Sequence, residues 1–242
     1  MKNMIKAVLF DLDGTLLPMD QEVFANAYFV GLAKKAASYG YDAEDLVKSV
    51  WAGTVAMVKN DGSDTNEQVF WNCFVQKYGN KVLQDKAVFD EFYENEFEQV
   101  RDACGFNPLA ATCVETIKNM GYRVVLATNP IFPEAATKAR IRWAGLDYRD
   151  FEYFTAYENS RHCKPNPEYY MDIVRELNVL PDECMMVGND VEEDMIAQSL
   201  GMKVFLITDC MINRHNKDIS VYPSGSFNDL IELLKQMQNG QI

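Results

Sequence analysis

The chain lacks the features of an exported or membrane-spanning protein. No apolar run approaches the length that a bilayer requires, and residues 1–4 lead into the first apolar stretch without a signal-peptide pattern. The 6 cysteines are scattered without a C-x-x-C pair, and the 2 histidines have no partner cluster. We therefore expect reduced thiols and a cytoplasmic protein.

Positive charge is also scarce. The 23 Lys and Arg residues are outnumbered by 36 Asp and Glu residues, which gives the 242-residue chain a formal net charge of −13. This charge argues against nucleic acid or an anionic membrane surface as a partner. It does not exclude a phosphorylated small molecule, because a binding site needs only local cations, and an acidic site facing an anion would almost require a metal ion. The sequence does not indicate an oligomeric state.

The chain does contain enough apolar material for a core, since 48% of its residues are hydrophobic and 12% are aromatic. In two parts of the chain, short apolar runs alternate with helical stretches. Alternating strands and helices require a parallel sheet with right-handed crossovers, so we predict an α/β fold with a Rossmann-like core. The predicted strands cover residues 5–10, 123–127, 153–156, 183–187 and 203–207.

Between residues 20 and 100 helical periodicity dominates and no good strand appears. The aromatic residues of this block are interpreted as the core of a small helical bundle, and for a few of them the alternative is the lining of a substrate pocket. The helices predicted in this block cover residues 21–39, 43–60, 65–78 and 87–100, and those predicted in the α/β part include one at 192–200. The apolar face of the first helix is predicted to consist of Val23, Ala27, Val30, Ala33 and Ala37.

The most informative stretch is Asp11-Leu12-Asp13-Gly14-Thr15, which directly follows the first predicted strand. The carboxyl edge of an open α/β sheet is where ligands bind. Two carboxylates one residue apart are costly to desolvate unless they share a cation or a proton, and Gly14 lets the backbone approach a ligand closely. The alternative is a solvated turn that merely ends a strand.

Other polar residues follow the later strands at the same predicted edge. Each of them alone also has a plain structural interpretation, as a strand-end hydroxyl, a solvated loop charge or a helix-surface carboxylate. Together, and in this order along the chain, they favour a functional site. They are Thr128 and Asn129; Lys164; and Asn189, Asp190 and Asp194.

This ordered set resembles the haloacid dehalogenase superfamily, whose members are mostly phosphatases that act through an aspartate nucleophile. The resemblance covers nearly the whole chain. It implies an α/β catalytic core of residues 1–17 and 106–242 and an inserted all-helical cap of residues 18–105. Residues near 17–18 and 105–108 suit hinges, so the cap is expected to close over a substrate.

The resemblance also implies a role for each residue. Asp11 would attack phosphorus and form an aspartyl phosphate, and Asp13 would donate a proton to the leaving oxygen and later take one from water. Thr128 and the amides around Asn129 would hydrogen-bond the phosphoryl oxygens. Lys164 would neutralise the nucleophile and the transferring group.

A magnesium ion completes the implied site. Asp11, the carbonyl oxygen of Asp13 and Asp190 would hold Mg²⁺, which favours oxygen ligands. The family often has an aspartate directly after the glycine of its fourth motif, whereas here Asn189 comes first, so Asn189 is the alternative ligand. Asp194 is expected to orient Lys164 or a metal-bound water.

The sequence therefore predicts a Mg²⁺-dependent phosphatase that hydrolyses a small phosphate monoester in the cytoplasm. A haloacid dehalogenase of the same fold is the first alternative, but dehalogenases of the family lack the second aspartate. A sugar phosphomutase stays open. A catalytically silent binding protein is disfavoured, because Asp11, Asp13, Thr128 and Lys164 are all present.

Overall fold

A parallel sheet forms the centre of the molecule. The computed structural model describes residues 4–241; residues 1–3, part of the segment judged to lack a signal-peptide pattern, lie outside the described residues, as does residue 242. In spatial order the strands run β3-β2-β1-β4-β5-β6, and all neighbours are parallel. The predicted α/β class is confirmed. The strands are β1 (Ala7–Phe10), β2 (Arg123–Leu126), β3 (Tyr153–Phe154), β4 (Cys184–Gly188), β5 (Lys203–Ile207) and β6 (Ser224–Gly225).

The first strand is the central one. Phe10 is opposite Leu126 of β2 on one side and opposite Val187 of β4 on the other. All four residues of β1 are buried, as expected for a parallel strand that is covered on both faces. Because β1, β2 and β4 end level with one another, the residues that follow them meet at one edge of the sheet.

Helices cover both faces of the sheet. One face packs against helices α5, α6 and α8, and the other against α7 and the 3₁₀ segment Met195–Leu200. Pro108 and Pro167 each begin a helix, where a missing N–H costs nothing. The four helices are α5 (Pro108–Asn119), α6 (Glu134–Trp143), α7 (Pro167–Leu177) and α8 (Phe227–Gln238).

Four more helices lie between β1 and β2, within the segment 18–105 that we call the helical insert. The side chains of Asp20, Asp42 and Thr65 accept hydrogen bonds from backbone amides at the starts of the first three helices. No helix within residues 4–241 is long and apolar enough to cross a membrane. The helices are α1 (Gln21–Ala37), α2 (Ala43–Val58), α3 (Asn66–Tyr78) and α4 (Lys86–Glu94), and the 3₁₀ segment Glu96–Ala103 follows them.

The predicted apolar face of α1 is wrong. Val23 and Val30 are 55% and 63% exposed, whereas the helix is buried along Phe24, Tyr28 and Leu32. Both sets have helical spacing, but aromatic rings bury more surface than valine or alanine, so they decide which side packs.

Other elements also differ from the prediction. The helix predicted at 87–100 breaks at Asn95, where α4 gives way to a 3₁₀ segment. The helix predicted at 192–200 is only the short 3₁₀ segment Met195–Leu200, because residues 191–194 form turns. Strand β6 was not predicted, since two residues carry no periodicity.

The insert contacts the rest of the chain at more than its two connections. Gly105 N donates to the Pro18 carbonyl over 2.7 Å, so the two connections lie side by side. On the other side, Asn66 N donates to the Ser160 carbonyl over 2.8 Å and Glu67 N donates to the Tyr157 carbonyl over 2.9 Å. These carbonyl groups satisfy the first amides of α3, which have no partner inside the helix.

The buried face of α1 makes a stability prediction. Leu32→Ala is expected to lower the free energy of unfolding by about 2–5 kcal/mol, because Leu32 is 2% exposed and its loss leaves a cavity. Val30→Ala is expected to change it by less than about 0.5 kcal/mol, since the side chain is exposed. Urea unfolding measures both values. Equal losses for the two variants would contradict the assignment of the buried face.

Candidate active site

The centre of the site is a buried ion cluster formed by Asp11, Lys164 and Asp194. Lys164 Nζ donates to Asp11 Oδ1 over 2.8 Å and to Asp194 Oδ1 over 2.6 Å. Asp11 directly follows β1, Lys164 precedes α7, and Asp194 lies in the turns after β4. Lys164 and Asp194 are each 1% exposed, so these charges compensate one another rather than being solvated by water.

Burial and mutual attraction act in opposite directions on these groups. Burial disfavours the charged form of Lys164, but the carboxylates of Asp11 and Asp194 outweigh it and hold the pKa of Lys164 well above its usual range. Burial raises the pKa of Asp194 to about 6, although the Lys164 ammonium opposes this shift. Lys164 is therefore a cation at neutral pH, placed beside the Asp11 carboxylate.

Two glycines leave room for the cluster. A Cβ atom at Gly188 would overlap the carboxylate of Asp194, and one at Gly14 would overlap the side chain of Asn189. Gly14 also has a φ of +89°, in the region that favours glycine. Glycine at position 14 therefore lets the turn after β1 approach Asn189, and glycine at position 188 leaves space for the Asp194 carboxylate in the turns after β4.

The second aspartate of the first motif is paired with an arginine. Arg140 Nη1 donates to Asp13 Oδ2, while Asp13 Oδ1 is buried without a hydrogen-bond partner among residues 4–241. Arg140 lies on α6 and is fully buried, with its guanidinium carbon 4.5 Å from the centre of the Phe132 ring. Burial raises the pKa of Asp13 above its usual value, although Arg140 opposes the shift. The carboxyl group is thus held in place by a cation while its environment favours a bound proton.

Thr128 and Asn129 follow β2 and lie at the same edge. Thr128 Oγ1 and Asn129 Oδ1 are buried and have no partner in the described part of the chain. Asn129 Nδ2 donates to Glu193 Oε2 over 3.1 Å, and the hydroxyls of Thr155 and Tyr169 donate to the Thr128 carbonyl over 2.6 and 2.8 Å. Buried oxygen atoms without partners are uncommon and indicate a position for a ligand or water.

Asn189 connects the first motif to the loop after β5. Its Oδ1 accepts from Thr15 Oγ1 over 2.9 Å, and its Nδ2 donates to the Cys210 carbonyl over 2.7 Å. Thr15 Oγ1 also lies 3.2 Å from Asp11 Oδ2. Both ends of the Asn189 amide are therefore used inside the protein.

Asp190 has several partners of its own. Its Oδ1 accepts from the amides of Glu192 and Glu193 over 2.8 and 3.0 Å, and its Oδ2 accepts from Arg214 Nη1 over 2.7 Å. Within residues 4–241, no three histidine, cysteine or acidic side chains converge as a closed metal cage would require. A metal at Asp190 would therefore compete with Arg214 for a carboxylate oxygen.

Three charged residues of the site were not predicted: Arg140, Glu193 and Arg214. Burial raises the pKa of Glu193 to about 7. Glu193 belongs to the acidic run 192–194, and the position of this run close to Asp190 could have indicated that Glu193 lies in the site. Arg140 gave no signal, because an arginine on a helix is mostly exposed.

A cavity of about 420 Å³ lies between this site and the helical insert. Its polar end contains Asp13, Asn129, Glu193 and Arg214. Some of the aromatic residues of the insert therefore line a cavity, as the alternative interpretation of them stated. The rest of its wall is mainly apolar and includes Phe24, Phe29, Trp51, Phe70 and Phe132.

One family of enzymes combines the features described so far: a parallel sheet, a helical insert after its first strand, and a buried ion cluster at the carboxyl edge. The profile of the haloacid dehalogenase-like hydrolases matches residues 5–199. The chain belongs to this family and is a hydrolase, which confirms the family predicted from the sequence.

Relatives and solved structures extend the comparison. Pyrophosphatase PpaX of Bacillus mycoides is 26% identical over 211 residues, 84% of each chain. A phosphorylated carbohydrates phosphatase of Thermotoga maritima is 25% identical over 202 residues, 82% of this chain and 83% of that one.

Two solved structures with different chemistries share the fold. A HAD phosphatase from Thermococcus onnurineus has a TM-score of 0.59 at 20% identity, over 95% of this chain and 98% of that one. The L-2-haloacid dehalogenase from Xanthobacter autotrophicus has a TM-score of 0.58 at 17% identity, over 97% and 100%. The likeness to these structures shows the fold and does not choose between the two reactions.

The pairing of Asp13 with Arg140 makes a prediction that includes a matched control. Arg140→Met is expected to lower the free energy of unfolding by about 2–4 kcal/mol, because the fully buried Arg140 is the cation that pairs with the partly buried Asp13. Arg142→Met on the same helix removes only a surface pair with Glu98, 3.5 Å long, and is expected to cost less than about 0.5 kcal/mol. Urea unfolding measures both. Similar losses of unfolding free energy for the two variants would show that the buried pair stabilises the protein no more than the surface pair does.

Proposed function

We propose that the protein is a Mg²⁺-dependent phosphatase that hydrolyses a small phosphate monoester through an aspartyl-phosphate intermediate. The observation that carries the proposal is the Asp11 carboxylate, 2.8 Å from the buried Lys164 ammonium, with a second carboxyl group at Asp13. The names of the relatives, a pyrophosphatase and a phosphorylated carbohydrates phosphatase, support phosphate chemistry. We further propose that residues 18–105 act as a cap and that residues 1–17 and 106–242 form the catalytic core.

In the first half of the reaction, a carboxylate oxygen of Asp11 attacks phosphorus and forms an acyl phosphate. The bond from phosphorus to the ester oxygen breaks, and Asp13 gives its proton to that oxygen, so the product leaves as a neutral alcohol. The environment of Asp13 supports this role, because burial raises its pKa.

In the second half, Asp13 takes a proton from water as the water oxygen attacks phosphorus. The bond between phosphorus and the Asp11 oxygen breaks, inorganic phosphate forms, and the Asp11 carboxylate is restored. The same carboxyl group thus acts as acid and then as base, and it ends the cycle protonated.

Three groups would stabilise the phosphoryl oxygens during both halves. Lys164 supplies a fixed positive charge beside Asp11, and it needs no reorganisation because Asp194 already holds it. The hydroxyl of Thr128 and the backbone amide of Asn129 would add hydrogen bonds. The lack of a partner for the buried Thr128 Oγ1 supports this role.

The residues present fit a magnesium ion. The available donors are carboxylate and carbonyl oxygens, crowding of carboxylates around Asp11 favours a cation, and Mg²⁺ usually needs only one or two carboxylates from the protein. Asp11, the carbonyl oxygen of Asp13 and Asp190 would hold it, with Asn189 or Asp194 as alternative ligands. When bound, the ion would polarise the phosphoryl group and offset negative charge.

Asp13 separates the proposal from the dehalogenase alternative. The dehalogenases of this fold need no proton donor for a halide, whereas an ester oxygen does. The structure adds a specific observation. Arg140 is fully buried and donates a hydrogen bond to the Asp13 carboxyl group, which fixes its position.

Asp11→Asn is expected to abolish hydrolysis of phosphate esters, with less than about a thousandth of the activity left, because an amide is a poor nucleophile of nearly the same shape. Steady-state assays at saturating Mg²⁺ measure this, and circular dichroism checks the fold. Asp209→Asn is the control, since this carboxylate is exposed after β5. Retention of more than about a tenth of the activity in Asp11→Asn would count against covalent catalysis.

The metal makes a second prediction. Chelation is expected to stop hydrolysis, and Asp190→Asn is expected to weaken Mg²⁺ binding by about tenfold or more, measured by titration calorimetry without substrate. Asn189→Ala is expected to have the smaller effect on Mg²⁺ binding, because both ends of the Asn189 amide are used inside the protein. The opposite order would make Asn189 the ligand.

A further inference from the structure

The cavity beside the site has a polar end and an apolar remainder. Asp13 and Asn129 mark the end where a phosphoryl group would lie, and beyond them the wall consists mainly of aromatic and aliphatic side chains. Rings from the insert and from the core meet there, with the Phe24 and Phe132 ring centres 6.0 Å apart. The part of a substrate that is not phosphate would therefore contact mostly carbon atoms.

Several hydroxyl groups of this wall are already paired inside the protein, whereas the indole Nε1 of Trp71 is buried without a hydrogen-bond partner among residues 4–241. The hydroxyls of Tyr28 and Tyr93 lie 2.7 Å apart and share a hydrogen bond. Thr54 Oγ1 donates to the carbonyl oxygen of Val50 over 3.0 Å. A substrate hydroxyl placed against these paired hydroxyls would lose its water and would have to compete with hydrogen bonds that the protein already makes, which is unfavourable.

The charges around the cavity disfavour a second phosphate. Arg214 is the one cationic side chain among the described residues of the wall, and it is already bonded to Asp190 and to Gln21. Glu193 lies at the polar end, and Asp90 lies on the exposed rim. A pyrophosphate or a bisphosphate would place its distal charge against these carboxyl groups.

The two sides of the cavity are fixed to each other. Asn66 is fully buried, and its Nδ2 donates to the Pro130 carbonyl over 3.2 Å. Glu67 N donates to the carbonyl oxygen of Tyr157, whose ring lines the cavity. Because the insert is hydrogen-bonded to the core at this point, the apolar wall is preformed and need not be assembled by the substrate.

We propose that the substrate is a phosphate monoester of an apolar alcohol, whose hydrocarbon portion fills the cavity between the insert and the core. This inference rests on the proposed phosphatase function. It differs in substrate class from the phosphorylated carbohydrates and pyrophosphate named for the relatives. The groups around Asp11 recognise only the phosphoryl group. Discrimination among phosphate esters therefore comes from burial of the hydrocarbon part of the substrate.

The test is a series of n-alkyl phosphates, namely ethyl, butyl and hexyl phosphate, whose leaving oxygens have nearly the same basicity. We expect kcat/KM to rise about fourfold for each added methylene, the gain from burying one such group. The gain is expected in KM, because the contacts are remote from phosphorus and equal in the ground and transition states. Glucose 6-phosphate and pyrophosphate are expected to be poorer substrates than hexyl phosphate.

Paired variants on α2 locate the effect. Trp51 lines the cavity against Phe29, with ring centres 5.4 Å apart, and Trp51→Ala is expected to reduce the gain per methylene. Val55 lies one turn further on, is 48% exposed and does not line the cavity, so Val55→Ala is expected to keep the full gain. Ala25→Phe, which fills the cavity from α1, is expected to penalise hexyl phosphate more than ethyl phosphate.

The outcomes separate the two proposals. Hydrolysis of glucose 6-phosphate with no gain along the alkyl series overturns the apolar-substrate inference and leaves the phosphatase proposal intact. Hydrolysis of none of these phosphates by folded protein at saturating Mg²⁺ overturns both. A rising series that Trp51→Ala flattens and Val55→Ala does not supports the inference.

Discussion

A lysine buried between two carboxylates sets the geometry of the candidate active site. Asp11 and Asp194 both lie within hydrogen-bonding distance of the buried Lys164 ammonium and stabilise its charge, since an uncompensated buried ion costs several kcal/mol. Its partners follow two different strands, so the pairing of β1 with β4 must keep its register. With one ammonium for two carboxylates, the cluster has an excess negative charge that a bound cation would offset.

The departure from the usual fourth motif has a physical explanation in the same region. The side chain after Gly188 must accept a hydrogen bond from Thr15 and donate one to the Cys210 carbonyl. An asparagine amide has one group of each kind, whereas an ionised aspartate can only accept. Asn189 therefore fits a bridging position between two loops, and the acidic side chains nearby are those of Asp190 and Asp194.

The fold was largely predictable because buried parallel strands are continuous apolar runs with clear ends. The same logic predicts that Asp11 and Thr128 lie at one edge, since they come directly after neighbouring parallel strands, whereas Lys164 lies in a loop before α7. The packed face of α1 was not predictable from periodicity, because two faces of that helix have helical spacing. Arg140 was missed because its partner Asp13 is 127 residues away, and nothing local shows that this arginine is buried.

The hydrogen bonds from α3 to the core have a consequence for building chimeric enzymes. The amides of Asn66 and Glu67 are satisfied by carbonyl groups in residues 157–160, and that stretch leads directly to Lys164. An insert grafted alone into a relative would leave these amides without acceptors unless the host loop had the same shape. The smallest exchangeable module is therefore discontinuous: residues 18–105 together with the loop 157–163 on which the insert rests.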